Sequence, residues 1–167
     1  MEMSNIHVLL IEDNPDDAVQ IQRYLNLSPS VRYNVIRAGA LREGLESLKP
    51  VRFDVILLDL DLPDAPRGIR TFEVVHKAVP HIPIIVLTGN DDDELAVEAV
   101  HKGAQDYLVK GLATGMSLGR AIRYAIERKN MLSQLERSLQ EIKQLKETHP
   151  DCANCKLVGT HRAPGKK

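Results

Sequence analysis

Cysteine is scarce: Cys152 and Cys155 are the only two in 167 residues, which excludes a disulfide framework. A surplus of one charge is also missing. The 22 Lys and Arg are offset by 23 Asp and Glu for a net charge of −1, so no nucleic-acid partner is expected. No apolar run approaches the ~20 residues that cross a bilayer, so no membrane partner is expected either. The opening MEMSNIHVLLIED has neither the basic start nor the small-residue cleavage site of a secretory signal, and a cytoplasmic location is expected. Against these absences, 43% of the residues are hydrophobic, enough at this length for one core and an appendage.

The apolar residues come in short runs rich in Val, Ile and Leu: IHVLLIE (6–12), YNVIRA (33–38), FDVILLD (53–59), PIIVLTG (83–89) and DYLVK (106–110). Between them, apolar residues fall at helical spacing. Leu41, Leu45 and Leu48 share one face, and Phe72, Val75 and Val79 another; the set Leu95, Val97, Ala99 and Val100 is less regular. Alternating strands and helices of this length predict an α/β fold with a parallel sheet covered on both faces. Strands without internal alternation fit burial on both sides.

Many acids here have a structural reading. Asn14-Pro15-Asp16-Asp17 supplies an N-cap, a first-turn proline and two acids that complement a helix dipole. NDDDE at 90–94 follows the same pattern ahead of a fourth helix.

After Gly111 the pattern changes. Leu118, Ala125, Leu132 and Leu139 repeat every seven residues, as do Ala121, Arg128, Leu135 and Ile142; these are heptad a and d positions, with Arg128 as the flaw. A helix of ~30 residues would be ~45 Å long, so its first turns are expected to cover the sheet and the rest to form a parallel dimeric coiled coil. A single helix folded back on its own domain is the alternative. The predicted divisions are a domain at 1–127 with its fifth helix starting about 115, a helical extension at 128–148 and a flexible tail at 149–167. The tail's C-A-N-C offers half a tetrahedral zinc site from Cys152 and Cys155. A parallel coil would complete it between chains, or His149 or His161 could substitute. Free reduced thiols and a redox pair are the competing readings.

The chemistry gathers at the strand ends. VILLDLDLPD, Val55 to Asp64, runs from four apolar residues into Asp59, Asp61 and Asp64, and buried carboxylates need partners or a metal. In sheets of this kind the ligand site lies beyond the carboxyl ends of the strands. There the first strand delivers Glu12 and Asp13, the third Asp59, the fourth Thr88 and the fifth Lys110. Three carboxylates within ~4–6 Å would repel by roughly 4 kcal/mol per pair. A divalent cation relieves that conflict, and all-oxygen ligation suits Mg²⁺. A carboxylate beside a metal, an ammonium and a hydroxyl describes a phosphoryl site, with Asp as nucleophile.

The motifs IEDNPDD, VILLDLDLPD, IIVLTGN and GAQDYLVKG, in this order, resemble the receiver domain of two-component response regulators over residues 5 to about 127. The resemblance implies a flavodoxin-like doubly wound sheet of order 2-1-3-4-5 with five helices. It implies Asp59 as phosphoacceptor, with Glu12 and Asp13 as the acidic pair. Asp13, Asp59 and the Asp61 backbone carbonyl would ligate Mg²⁺, Glu12 acting through water. Thr88 and Lys110 would contact the phosphoryl group, Tyr107 would be the switch aromatic, and Asp61 and Asn90 would tune hydrolysis. The implied partner is a sensor histidine kinase or phosphotransfer protein, and the implied output is altered protein interaction. Gly111 stands where receivers commonly carry a proline in a cis bond, so a cis peptide is not to be assumed here. Two rival readings remain. A haloacid-dehalogenase-type phosphatase shares D-x-D, Thr and Lys but places its acidic pair last, whereas Glu12 and Asp13 come first here. A receiver-like module that takes no phosphate and serves only dimerisation is the other.

Overall fold

The computed structural model describes residues 4–49, 51–89 and 93–148; Asn90, His149, Cys152, Cys155 and His161 lie outside them. In chain order the elements are β1 (Ser4–Ile11), α1 (Pro15–Asn26), β2 (Val31–Ala38), α2 (Leu41–Ser47), β3 (Val55–Asp59), α3 (Ile69–Ala78), β4 (Ile84–Thr88), α4 (Asp93–His101), β5 (Asp106–Val109) and α5 (Gly115–Thr148). All neighbouring strands pair in parallel, in the order β2-β1-β3-β4-β5. The order reverses between β1 and β3, the two strands that lead into Glu12 and Asp59.

Two apolar layers flank the sheet. On one face Leu9, Ile11, Ile56, Leu58, Ile84 and Val86 pack with Phe72 and Val75 of α3 and Ala99 of α4. On the other, Val8, Leu10, Val55, Leu57, Ile85 and Leu87 pack with Ala18, Ile21 and Leu25 of α1 and Leu118, Ala121, Ile122 and Ala125 of α5. Consecutive residues of a strand thus serve opposite cores, as the period of two requires. Every residue of β3 and β4 is buried, while edge strand β2 is mixed. That explains the unbroken apolar runs of the two central strands, each buried Leu or Ile stabilising by about 1.5–3 kcal/mol. The irregular pattern of α4 also resolves: Ala96 and Ala99 are buried, while Val97 and Val100 face solvent.

The helix ends are set by named side chains. Asn14 caps α1 through Asp16 N–H and Asp17 N–H. Ala40 has no side chain to cap α2. Asp64, from the loop after β3, accepts from Leu41 N–H at 2.7 Å and Arg42 N–H at 3.0 Å instead. Those two N–H groups hold the Asp64 carboxyl below its ordinary pKa. Ahead of α5, Thr114 N–H donates to Ser117 Oγ at 2.9 Å and Ser117 N–H to Thr114 Oγ1 at 3.2 Å, a reciprocal capping box. α4 closes with Ala104 N–H on Ala99 C=O and Gly103 N–H on Val100 C=O; Gly103, at φ 112°, supplies the positive φ that this ending needs. Gly44 has another role: a Cβ there would lie 2.5 Å from Ile11 Cδ1, so its absence lets α2 approach β1 directly below Glu12. The described residues contain no cis peptide bond, in keeping with Gly111.

The chain divides into two compact units, one ending at Lys129 and one starting at Asn130. Within the first, Arg128 does not sit at an apolar seam: its Nη1 donates to Gln105 C=O at 2.9 Å, and Lys129 Nζ donates to Pro80 C=O at 2.6 Å. In the second, Leu132, Leu135, Leu139 and Ile142 are each about half exposed (46%, 56%, 57% and 50%). Among the described residues no helix is long and apolar enough to cross a membrane.

Candidate functional site

The site forms where β1 and β3 end side by side. Glu12 leaves β1 with its N–H still on Ala38 C=O of β2 at 3.0 Å. Arg37 of β2 grips the next turn, Nε donating to Glu12 C=O at 3.2 Å and Nη2 to Asp13 C=O at 2.9 Å. This loop therefore has a fixed path. Glu12 is fully buried and Asp59 nearly so, while Asp13 is exposed. One oxygen from each of Glu12, Asp13 and Asp59 lies within 4.8 Å of the others. The two Asp59 oxygens have separate partners: Oδ1 accepts from Asp61 N–H at 3.1 Å and Oδ2 from Lys110 Nζ at 2.7 Å.

Lys110 arrives from the end of β5, its N–H on Thr88 C=O at 2.9 Å. Its ammonium lies 2.7 Å from Glu12 Oε2, 2.7 Å from Asp59 Oδ2 and 3.3 Å from Asp17 Oδ2. Burial by itself would lower the lysine pKa, but its close contacts with the Asp59 and Glu12 carboxylates outweigh it, and the net shift is upward. Glu12 has the opposite balance: burial, aided by the Asp59 charge, pushes its carboxyl up to about 7 against the pull of Lys110. One ammonium does not fully neutralise this cluster.

Thr88 ends β4, buried, and its Oγ1 has no hydrogen-bond partner among the described residues. Such an orphan hydroxyl costs about 1–3 kcal/mol, so β4 ends in an unused donor. Tyr107 is half-buried. It stands opposite Val86 in register and packs on the same core face as Val86. Asp61 is exposed beside Asp59.

Three acids, the hydroxyl and the ammonium expected at the strand ends are thus brought to one end of the sheet by four strands. Sequence reasoning missed Asp17, read there as helix-dipole complementation alone, and Arg37, which carried no motif. Asp64 belongs to α2 rather than to this cluster. All-oxygen donors at this spacing, one of them a buried carboxylate left short of positive charge, fit a hard divalent cation such as Mg²⁺.

Residues 8–122 match the response regulator receiver domain. The transcriptional regulatory protein ZraR of Escherichia coli (strain K12) is 33% identical over 112 residues, covering 67% of this chain and 24% of ZraR. The luminescence regulatory protein LuxO of Vibrio campbellii is 35% identical over 124 residues, covering 72% of this chain and 26% of LuxO. The chain therefore spans about a quarter of the length of these relatives. Among solved structures, a response regulator receiver domain protein from Clostridium thermocellum superposes with a TM-score of 0.65 at 30% identity, over 76% of this chain and 98% of that one. A CheY-like receiver domain protein from Methanospirillum hungatei JF-1 gives 0.64 at 25% identity, over 77% and 98%.

Proposed function

The chain belongs to the response regulator receiver family, and from that premise we propose that Asp59 accepts a phosphoryl group from a sensor histidine kinase or phosphotransfer protein. The observation that carries this reading is the setting of Asp59, whose Oδ2 meets Lys110 Nζ at 2.7 Å while Glu12 and Asp13 oxygens lie within 4.8 Å. In the transfer, an Asp59 carboxylate oxygen bonds to phosphorus as the phosphorus–nitrogen bond of a phosphohistidine breaks, and the freed imidazole takes a proton from solvent. Lys110 stabilises the charge on the phosphoryl oxygens. Glu12, Asp13 and Asp59, with the Asp61 backbone carbonyl, are the groups that would hold Mg²⁺. When bound, the ion supplies further neutralisation of the carboxylates and the phosphoryl oxygens.

Thr88 and Tyr107 are read as the switch. Thr88 Oγ1, without a partner among the described residues, gains one in a phosphoryl oxygen, and movement of Thr88 frees space on the core face that Tyr107 shares. The altered face then changes which proteins bind.

The test is intact mass after incubation with acetyl phosphate, with and without Mg²⁺, on the wild type and Asp59→Asn. One Mg²⁺-dependent phosphoryl adduct, absent from the variant, is expected. No adduct on the wild type under any condition would reject the reading in favour of a module that serves dimerisation alone.

The second unit is proposed to pair with a second copy as a parallel coiled coil through Leu132, Leu135, Leu139 and Ile142, whose exposure leaves a continuous apolar stripe. Sedimentation equilibrium is expected to give a dimer for the wild type and a monomer for the Leu135→Asp, Leu139→Asp double variant. A wild-type monomer at all concentrations would remove this reading.

A further inference from the structure

An ammonium has three N–H groups, and Lys110 faces three carboxylates, those of Glu12, Asp59 and Asp17. Two of the three are accounted for by the acidic cluster. Asp17 is not: it stands outside the trio of oxygens that converge near Asp59. It is not needed as a cap either, because Asn14 accepts from the first N–H groups of α1. Among the described residues the Asp17 side chain has Lys110 as its partner, at 3.3 Å, and it is 30% exposed while the Lys110 side chain is 17% exposed. A partly solvated acid thus reaches inward to the ammonium that serves Asp59.

We propose that Asp17 is a positioning residue that competes for Lys110, holding its ammonium back from the phosphoryl group and so limiting how fast Asp59 is phosphorylated. This rests on Asp59 being the acceptor. As the new oxygen–phosphorus bond forms, the bonded Asp59 oxygen loses its charge and the phosphoryl oxygens become the stronger acceptors. Lys110 must turn toward them. Asp17 opposes the turn by retaining one N–H of that ammonium. Asparagine at this position keeps the shape and an acceptor oxygen but removes the charge, so it loosens the hold without emptying the site.

The test measures the rate of Asp59 labelling by acetyl phosphate in Mg²⁺, a reaction in which the donor's phosphorus–oxygen bond breaks and acetate leaves. Asp17→Asn is expected to label about threefold faster, the scale of a partly exposed charge pair. In a Lys110→Ala background the same substitution is expected to change the slower rate by a factor near one, because there is no ammonium left to compete for. A rate that is unchanged or lower in Asp17→Asn overturns the proposal. So does an equal acceleration in both backgrounds, which would mean that Asp17 acts without Lys110. Absence of label from the wild type overturns the Asp59 reading and this proposal together, whereas a labelled wild type with an unresponsive Asp17→Asn overturns this proposal alone. Urea unfolding of Asp17→Asn provides the control, since a purely structural role would move stability and leave the labelling ratio the same in both backgrounds.

Discussion

Lys110→Met is expected to lower the unfolding free energy in metal-free buffer by about 3–5 kcal/mol, the range found when one member of a buried ion pair is removed. Methionine matches the length of the side chain and fills its space, so packing changes little and the missing charge dominates. The loss is large because the ammonium lies 2.7 Å from both Glu12 and Asp59. Glu12 is fully buried and Asp59 is 6% exposed, so neither can turn to water for compensation. Among the described residues no other cation forms an ion pair with either one; Arg37 reaches only the backbone carbonyls of Glu12 and Asp13. Urea unfolding followed by circular dichroism measures the effect. Added Mg²⁺ is expected to return part of the stability, since a cation held by the same oxygens replaces the lost charge and binds the folded state alone. A variant within 1 kcal/mol of the wild type without metal would show that the cluster does not depend on Lys110 for neutralisation.

The parts of this architecture that were legible beforehand are those encoded locally. Val55 to Leu58 and Ile84 to Leu87 are apolar without interruption because both faces of β3 and β4 are covered, and their ends announced Asp59 and Thr88. The heptad repeat after Gly111 marked a helix that does run to Thr148. What was not legible depends on residues far apart in sequence. Asp17 meets Lys110 across 93 positions, and nothing near Asp17 distinguishes it from Asp16, its neighbour in the same helical turn. Arg37 lies on an edge strand with ordinary spacing, and only the pairing of β2 with β1 places its guanidinium under the Glu12–Asp13 turn. Asp64 stood with Asp59 and Asp61 among the acids that close one apolar run, yet it caps a helix that precedes it by more than twenty residues. Arg128 looked like a flaw in a seam because the heptad spacing runs through it back to Ala121. The helix instead changes surroundings there, and the arginine is used on the Gln105 carbonyl.

Glu12 should also make the protein less stable as pH rises through neutrality when no metal is present. Its folded-state pKa is pushed from an ordinary 4.5 up to about 7, chiefly by burial. Between those two values the folded chain holds a proton that the unfolded chain has released, so folding is favoured on the acid side and the advantage fades as pH climbs. Asp64 acts in a different window: its pKa is lowered from 3.8, so its contribution is present above that value and lost only as pH falls below it. At about 1.36 kcal/mol per pH unit, the Glu12 effect is on the order of 3 kcal/mol across the window. Measuring urea unfolding from pH 5 to pH 8 in chelator, for the wild type and Glu12→Gln, isolates it, because the two proteins differ only in this side chain. Glutamine keeps an acceptor for Asn14 N–H, which donates to Glu12 Oε1 at 3.1 Å, and has no proton to release. The wild type is expected to lose stability relative to Glu12→Gln as pH rises. Mg²⁺ is expected to flatten that difference, since it binds the charged carboxylate that burial otherwise disfavours. If the two proteins run parallel across the range without metal, Glu12 is already ionised at pH 5 in the folded state and Lys110 alone is sufficient to keep it so.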